Sequence, residues 1–190
     1  MVNGRTYGGG GIYNLYSTVA ADNAFAPYVF IHEFGHHFAA LADEYYTSPV
    51  AYLPSEKREE PWEPNVTALL DPASLKWKDL VAPGTPLPTP WRKDAYEARS
   101  RATQARRAEL RKNARPESEM EALFGEERRA DDTQFAEEKY AGKVGAFEGA
   151  RYEARGYYRP EANCIMFTRA DYFCAVCRRA IERVIDSYAR

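Results

Sequence analysis

"YVFIHEFGHHFAALADEYY", residues 28–46, holds all three histidines of the 190-residue chain, at positions 32, 36 and 37. Its apolar residues Val29, Phe30, Ile31, Phe34, Phe38 and Leu41 recur around most of a helical circumference, which predicts a buried central helix from Tyr28 to about Ala42. Asp22 and Asn23 just upstream are capping residues, and Pro27 suits a first helical turn. The polar groups inside the stretch are His32, Glu33, His36 and His37. Polar groups carried into an apolar setting need partners, and leaving imidazoles and a carboxylate without them costs several kcal/mol.

His32-Glu33-Phe34-Gly35-His36 is an HExxH string. Four residues advance a helix by about 6 Å and about 40° net, so the two imidazoles stand one turn apart on one face. Both can then reach one zinc ion at about 2.0–2.1 Å. Glu33 is rotated about 100° from His32, where its carboxylate can act on a metal-bound water without occupying the metal. Those roles, two ligands and a general base around Zn2+, are the chemistry of hydrolysis by activated water.

A third ligand is needed, and no other histidine can supply it. His37 lies about 100° around the helix from His36, off the metal-facing side. That leaves a carboxylate, a tyrosine or a cysteine. Asp43 is favoured, being nearly on the same face as His36, but a straight helix would put it about 10 Å further along the axis. Its use therefore requires the helix to end near Ala39 to Leu41 and the chain to turn back. Glu44 and Glu148 are the fallback carboxylates.

Working outward, residues 2–18 read as a glycine-rich loop entering a short strand. The loop is not a phosphate cradle, since GxxxxGK[ST] is absent. Residues 47–91 are rich in proline and predict an irregular wrap with one helical turn around "DPASLKWKDL", its interleaved Trp62, Trp77 and Trp91 anchoring it by burial. Residues 92–141 are built of Ala, Arg and Glu and are broken by Pro116, which predicts two helices folded into a hairpin or projecting as an arm. Their mixed signs mark an ion-paired, solvated surface rather than a nucleic-acid arm. Glycines and aromatics return over 142–163. "YFCAVCRRAIERVIDSY" then predicts an amphipathic helix with Phe173, Val176, Ile181, Val184 and Ile185 inward.

The formal net charge is -2, so no general electrostatic attraction to nucleic acid or an acidic membrane is expected. No apolar run approaches a bilayer span, and the first residues lack the pattern of a signal peptide. Cys164, Cys174 and Cys177 include one CxxC, whereas a four-cysteine zinc site would need two such pairs. One disulfide from Cys164 to Cys174 or Cys177, with one spare thiol, and three reduced buried cysteines are both open readings.

The blocks "YGGGGIYNLYST", "ADN", "YVFIHEFGHHFAALADEYY", "EPNVT", "KW", "GTPLPTP", "VGAFEGA", "YYRPEANCIMF" and "FCAVC" together resemble the IgA peptidase family of zinc metallopeptidases. The resemblance covers residues 2–91 and 142–188, with 92–141 falling where such proteins vary in length. It implies an α+β, metzincin-like catalytic region over 1–190, with 92–141 as a helical insertion. His32, His36 and Asp43 would bind the metal, Glu33 would be the base, and Met166 would lie in a methionine turn beneath. The glycine strand would be an edge for an extended protein or peptide substrate. Tyr45, Tyr157 and Tyr158 are candidates to assist the oxyanion. A secreted or cell-surface setting is implied. So is an N-terminally truncated domain, with "MVN" as the tail of a strand. The alternatives are an inactive relative that binds zinc or a protein partner, and a helical interaction module built on 92–141.

Overall fold

The computed structural model describes residues 4–47 and 58–189, and "MVN" lies outside them, as does much of "TSPVAYLPSEK". The architecture is mixed: four α-helices and, among the described residues, two separate two-stranded antiparallel sheets. The first sheet joins β1 (Gly9–Ile12) to β2 (Tyr16–Val19), so the glycine run is itself a strand of a hairpin rather than a loop leading into one. Its glycines let the strand lie directly on helix α1 (Ala26–Ala39). A Cβ at position 9 would stand 2.5 Å from Val29 Cγ1, and one at position 11 would stand 2.6 Å from the Glu33 carbonyl oxygen. No larger residue could approach the helix so closely.

Helix α1 starts two residues before the expected Tyr28 and stops three before Ala42. Its Pro27 does sit in the first turn, but neither Asp22 nor Asn23 caps it. Phe25 is the N-cap, while the Asn23 side chain accepts from Phe25 N at 2.9 Å and fixes the entering turn instead. At the other end Ala40 adopts a left-handed conformation (φ 55°) and Leu41 N returns to Gly35 O at 3.2 Å. Glycine usually fills such a C-terminal turn. Here alanine takes it, and the chain reverses beneath the helix.

The expectation of a buried central helix holds for one face of α1 only. Val29, His32, Gly35 and Ala39 are buried, whereas Phe30 and Ile31 are exposed among the described residues. The covered face rests on the buried turn that carries Cys164, Ile165, Met166 and Phe167. A Cβ at Gly35 would meet Met166 Sδ at 3.0 Å and Leu41 Cδ1 at 3.1 Å, so this glycine lets the turn press against the helix.

The proline-rich segment forms two short 3-10 turns, Pro72–Ser74 and Lys78–Leu80, rather than one helical turn. Trp77 is fully buried and donates its indole N–H to Gly145 O at 2.7 Å, and Trp91 donates to Glu148 O at 3.1 Å. Trp62 is mostly exposed and does not anchor the wrap as expected. Helices α2 (Lys93–Lys112) and α3 (Glu117–Ala136) fold back on each other on either side of Pro116. Rather than projecting, α3 joins the body. Phe124 packs against Tyr7 and Phe25, and Glu117 and Glu121 accept from the main chain at Tyr7 and Ala24.

The second sheet is β3 (Phe147–Ala150) with β4 (Glu153–Arg159), irregular in register at Gly149. The final helix, α4 (Ala175–Tyr188), buries Val176, Cys177 and Ala180, with Ile181 and Val184 partly covered. Ile185 is exposed, so the expected inner stripe ends one residue early, at Val184.

Candidate metal centre and cleft

The reversal at Ala40 decides the site. It brings Asp43 back beneath α1, so that Asp43 Oδ1 lies 3.1 Å from His32 Nε2 and 3.1 Å from His36 Nε2. The two Nε2 atoms are themselves 3.1 Å apart. The three atoms form an equilateral triangle. A tetrahedral zinc with bonds of about 2.0–2.1 Å would place its donors about 3.3 Å apart, close to this spacing.

The protonation of the imidazoles follows from their far sides. His32 Nδ1 faces Ile165 O at 2.9 Å and His36 Nδ1 faces Leu41 O at 2.5 Å. A carbonyl oxygen can only accept, so both Nδ1 atoms carry the hydrogen and, in neutral rings, both Nε2 atoms carry lone pairs. With both rings neutral, two lone pairs and a carboxylate oxygen converge on one point, an arrangement that repels itself unless a proton or a metal ion sits between them. The residues therefore fit a divalent metal, and each histidine's outer partner is the kind that orients a ligating ring.

The site's electrostatics agree. Burial pushes the Asp43 carboxyl up, but hydrogen bonds from His32 and His36 override it and hold the group well below the ordinary carboxylate range. Burial pulls His36 down, and its hydrogen bond to Asp43 more than compensates, leaving the imidazole above its ordinary value. Glu33 stays outside the triangle. Burial raises its carboxyl, against the pull of His32 and His36, which favours a group able to take a proton.

Glu33, His36 and Asp43 line a cleft of about 620 Å3 together with Gly9, Gly10, Gly11, Tyr45, Glu63 and the Arg151–Glu153 turn. One side of the triangle is thus open to a ligand. Of the alternative third ligands, neither reaches it. Glu44 is fully buried on the opposite side of its loop, hydrogen-bonded by Asn65 Nδ2 at 2.9 Å. Glu148 is ion-paired with Lys93 at 2.8 Å. Of the tyrosine candidates, Tyr45 lies beside His32, its ring stacked at a centroid distance of 6.1 Å. Tyr157 is buried in a separate apolar cluster with Val66 and Ala68, Tyr158 pairs through its backbone with Thr67, and neither lines the cleft.

Two participants have no signal in the sequence that assigns their role. The Tyr152 hydroxyl donates to Asp43 Oδ2, while its backbone N–H binds Tyr45 O at 2.9 Å. It stands at a left-handed position (φ 66°) in the β3–β4 turn, and no periodicity marks it. Asn65, in "EPNVT", clamps the ligand loop from both sides, accepting from Ala42 N at 2.8 Å and donating to Ala42 O at 2.9 Å. A buried asparagine between prolines and β-branched residues was the available hint, without a partner to attach it to.

Met166 lies fully buried under α1, its carbonyl accepting from Glu44 N at 2.8 Å. No described helix is long and apolar enough to cross a membrane. A search of curated proteins finds no match to this chain. The profile of one protein family, IgA Peptidase M64, matches residues 1–185, nearly the whole length. With that match across the fold, and an HExxH helix at its centre, the chain belongs to the IgA Peptidase M64 family of peptidases.

Proposed function

We propose that this chain is a zinc-dependent endopeptidase in which His32, His36 and Asp43 hold the metal and Glu33 is the general base. The observation that carries the reading is the triangle of three lone-pair donors, 3.1 Å on each side and open to a cleft, with a carboxylate beside it that takes no part in the triangle. When bound there, a zinc ion supplies Lewis-acid polarisation of a peptide carbonyl and lowers the pKa of a water molecule.

The remaining steps belong to the chain itself. Glu33 accepts the proton of the attacking water and returns it to the departing amide nitrogen, a role favoured by its raised affinity for protons. Tyr45 lines the cleft and offers a hydroxyl donor to the developing oxyanion. Tyr152 steadies Asp43 from outside. Gly9, Gly10 and Gly11 line the same cleft, and β2 is the only strand paired with β1 among the described residues. An extended peptide can therefore lie along the free side of β1 and bond to its backbone. Such an enzyme acts on protein or peptide, and the family resemblance supports a secreted or cell-surface setting and the metzincin-like class.

Zinc-loaded protein incubated with casein tests this directly. Hydrolysis is expected, with loss on chelation and near-complete loss in Glu33→Ala; cleavage that survives Glu33→Ala rules out the mechanism.

A further inference from the structure

Behind the ligand loop, on the side away from the cleft, lies a second cluster of metal-binding groups. Glu44, Cys164, Cys174 and Cys177 are all buried, and one donor atom from each lies within 4.8 Å of every other. All three cysteines are free. We propose that these four residues form a second, structural zinc site.

The spacing carries the assignment. Cys164 Sγ and Cys177 Sγ are 3.8 Å apart, far beyond the about 2.05 Å of a disulfide. Zn–S bonds of about 2.3 Å in a tetrahedron put sulfurs about 3.8 Å apart. Cys177 Sγ to Glu44 Oε1 is 3.3 Å, near the about 3.5 Å expected between a thiolate and a carboxylate oxygen on the same ion.

The polar accounting points the same way. Glu44 Oε2 is buried without a hydrogen-bond partner among the described residues. The nearby cation, Arg159, donates from its terminal nitrogens to the carbonyls of Glu148, Gly149 and Ala162, and its Nε is likewise buried without a hydrogen-bond partner among the described residues rather than bonded to Glu44. Main-chain amides donate to sulfur instead: Cys174 N to Cys164 Sγ at 3.3 Å and Cys177 N to Cys174 Sγ at 3.5 Å. Such donors suit thiolates, as does the N-terminus of α4, where Cys174 is the cap. Binding releases the protons of whichever thiols and carboxyl are protonated, and three thiolates favour a borderline-soft ion such as Zn2+.

Four protein ligands leave no position for substrate, so this ion has a bracing role. It would tie together three segments: the loop bearing Asp43, the turn whose Ile165 carbonyl orients His32, and the start of α4. The two sites would share one loop, with Asp43 given to the open site and Glu44 to the closed one.

The test is metal content of the full chain after zinc loading and dialysis. Two equivalents are expected in the native protein and one in the His32→Ala/His36→Ala double variant. Cobalt exchanged into that variant should show thiolate-to-cobalt charge-transfer absorption. The native protein, loaded with cobalt, should show the same band even if the variant fails to fold. A folded double variant without metal, or native cobalt protein without the band, overturns the site. So does protein unfolded in chelator without reductant that titrates for one thiol rather than three, since that reveals a disulfide. One equivalent in the native protein with the thiolate band present keeps this site and removes the histidine-borne ion instead.

Discussion

Asp43 and Glu44 are adjacent carboxylates with opposite surroundings. Asp43 faces two imidazole nitrogens and a tyrosine hydroxyl at the edge of a cleft, and those hydrogen bonds hold it ionised. Glu44 faces three sulfurs and Asn65 in a sealed interior, where burial pushes its carboxyl well above the ordinary range. An extended stretch sends successive side chains to opposite faces. One loop of two residues can therefore serve a reactive site and a closed one, provided something fixes its register. Asn65 and the Met166 carbonyl do so, by gripping Ala42 and the Glu44 amide.

The contrast can be broken from either side. The largest effect is expected from Glu33→Gln, which removes the base but no ligand. Activity on casein should fall about 10²–10⁴-fold with metal content unchanged. Metal loss in this variant would show that Glu33 is a ligand. Asn65→Ala should come next, because it frees the loop from both sites at once. It leaves buried amide groups of Ala42 unpaired, and a loss of about 2–4 kcal/mol in urea unfolding is expected. Tyr152→Phe touches only the open side. Competition with a chelating dye should show about 10–100-fold weaker metal binding at the histidine site, with stability little changed.

Acidity should separate the two donor types within the open site. In the metal-free protein the His36 imidazole lies above its ordinary value of 6.5, while Asp43 stays ionised far below the carboxylate range. Protons therefore compete for the histidine nitrogens first. Affinity measured by titration should fall by about tenfold per pH unit below the raised His36 value. A fall confined to the carboxylate range would assign control to Asp43. The smallest effect is expected far from both sites. Arg106 pairs with Glu126 across the α2–α3 hairpin at 2.8 Å, in the open. Arg106→Ala should change stability by at most about 0.5 kcal/mol and leave casein cleavage unaffected.

The convergence of His32, His36 and Asp43 is legible locally, because the three lie at most eleven positions apart, on one helix and its return. His32, Glu33 and His36 follow from helical period, and Asp43 follows once the helix must end near Ala39. The hairpin around Pro116 was readable for a similar local reason. What escaped depends on distance along the chain. Tyr152 reaches Asp43 from 109 residues away, on a turn with irregular backbone. The cysteine cluster has no local signature, since its fourth member is a glutamate 120 residues upstream of Cys164. Phe30 and Ile31 follow the apolar pattern of a buried helix and yet are exposed, since periodicity reports which residues are apolar and not what covers them.

The central claim is that His32, His36 and Asp43 bind a metal ion with one side left open to substrate. Anomalous diffraction from zinc-loaded crystals, recorded on both sides of the zinc edge, tests it most directly. A peak within bonding distance of both Nε2 atoms and Asp43 Oδ1, with no fourth side chain attached, is the expected result. An absent peak at that position, or a fourth protein ligand closing it, would contradict the claim.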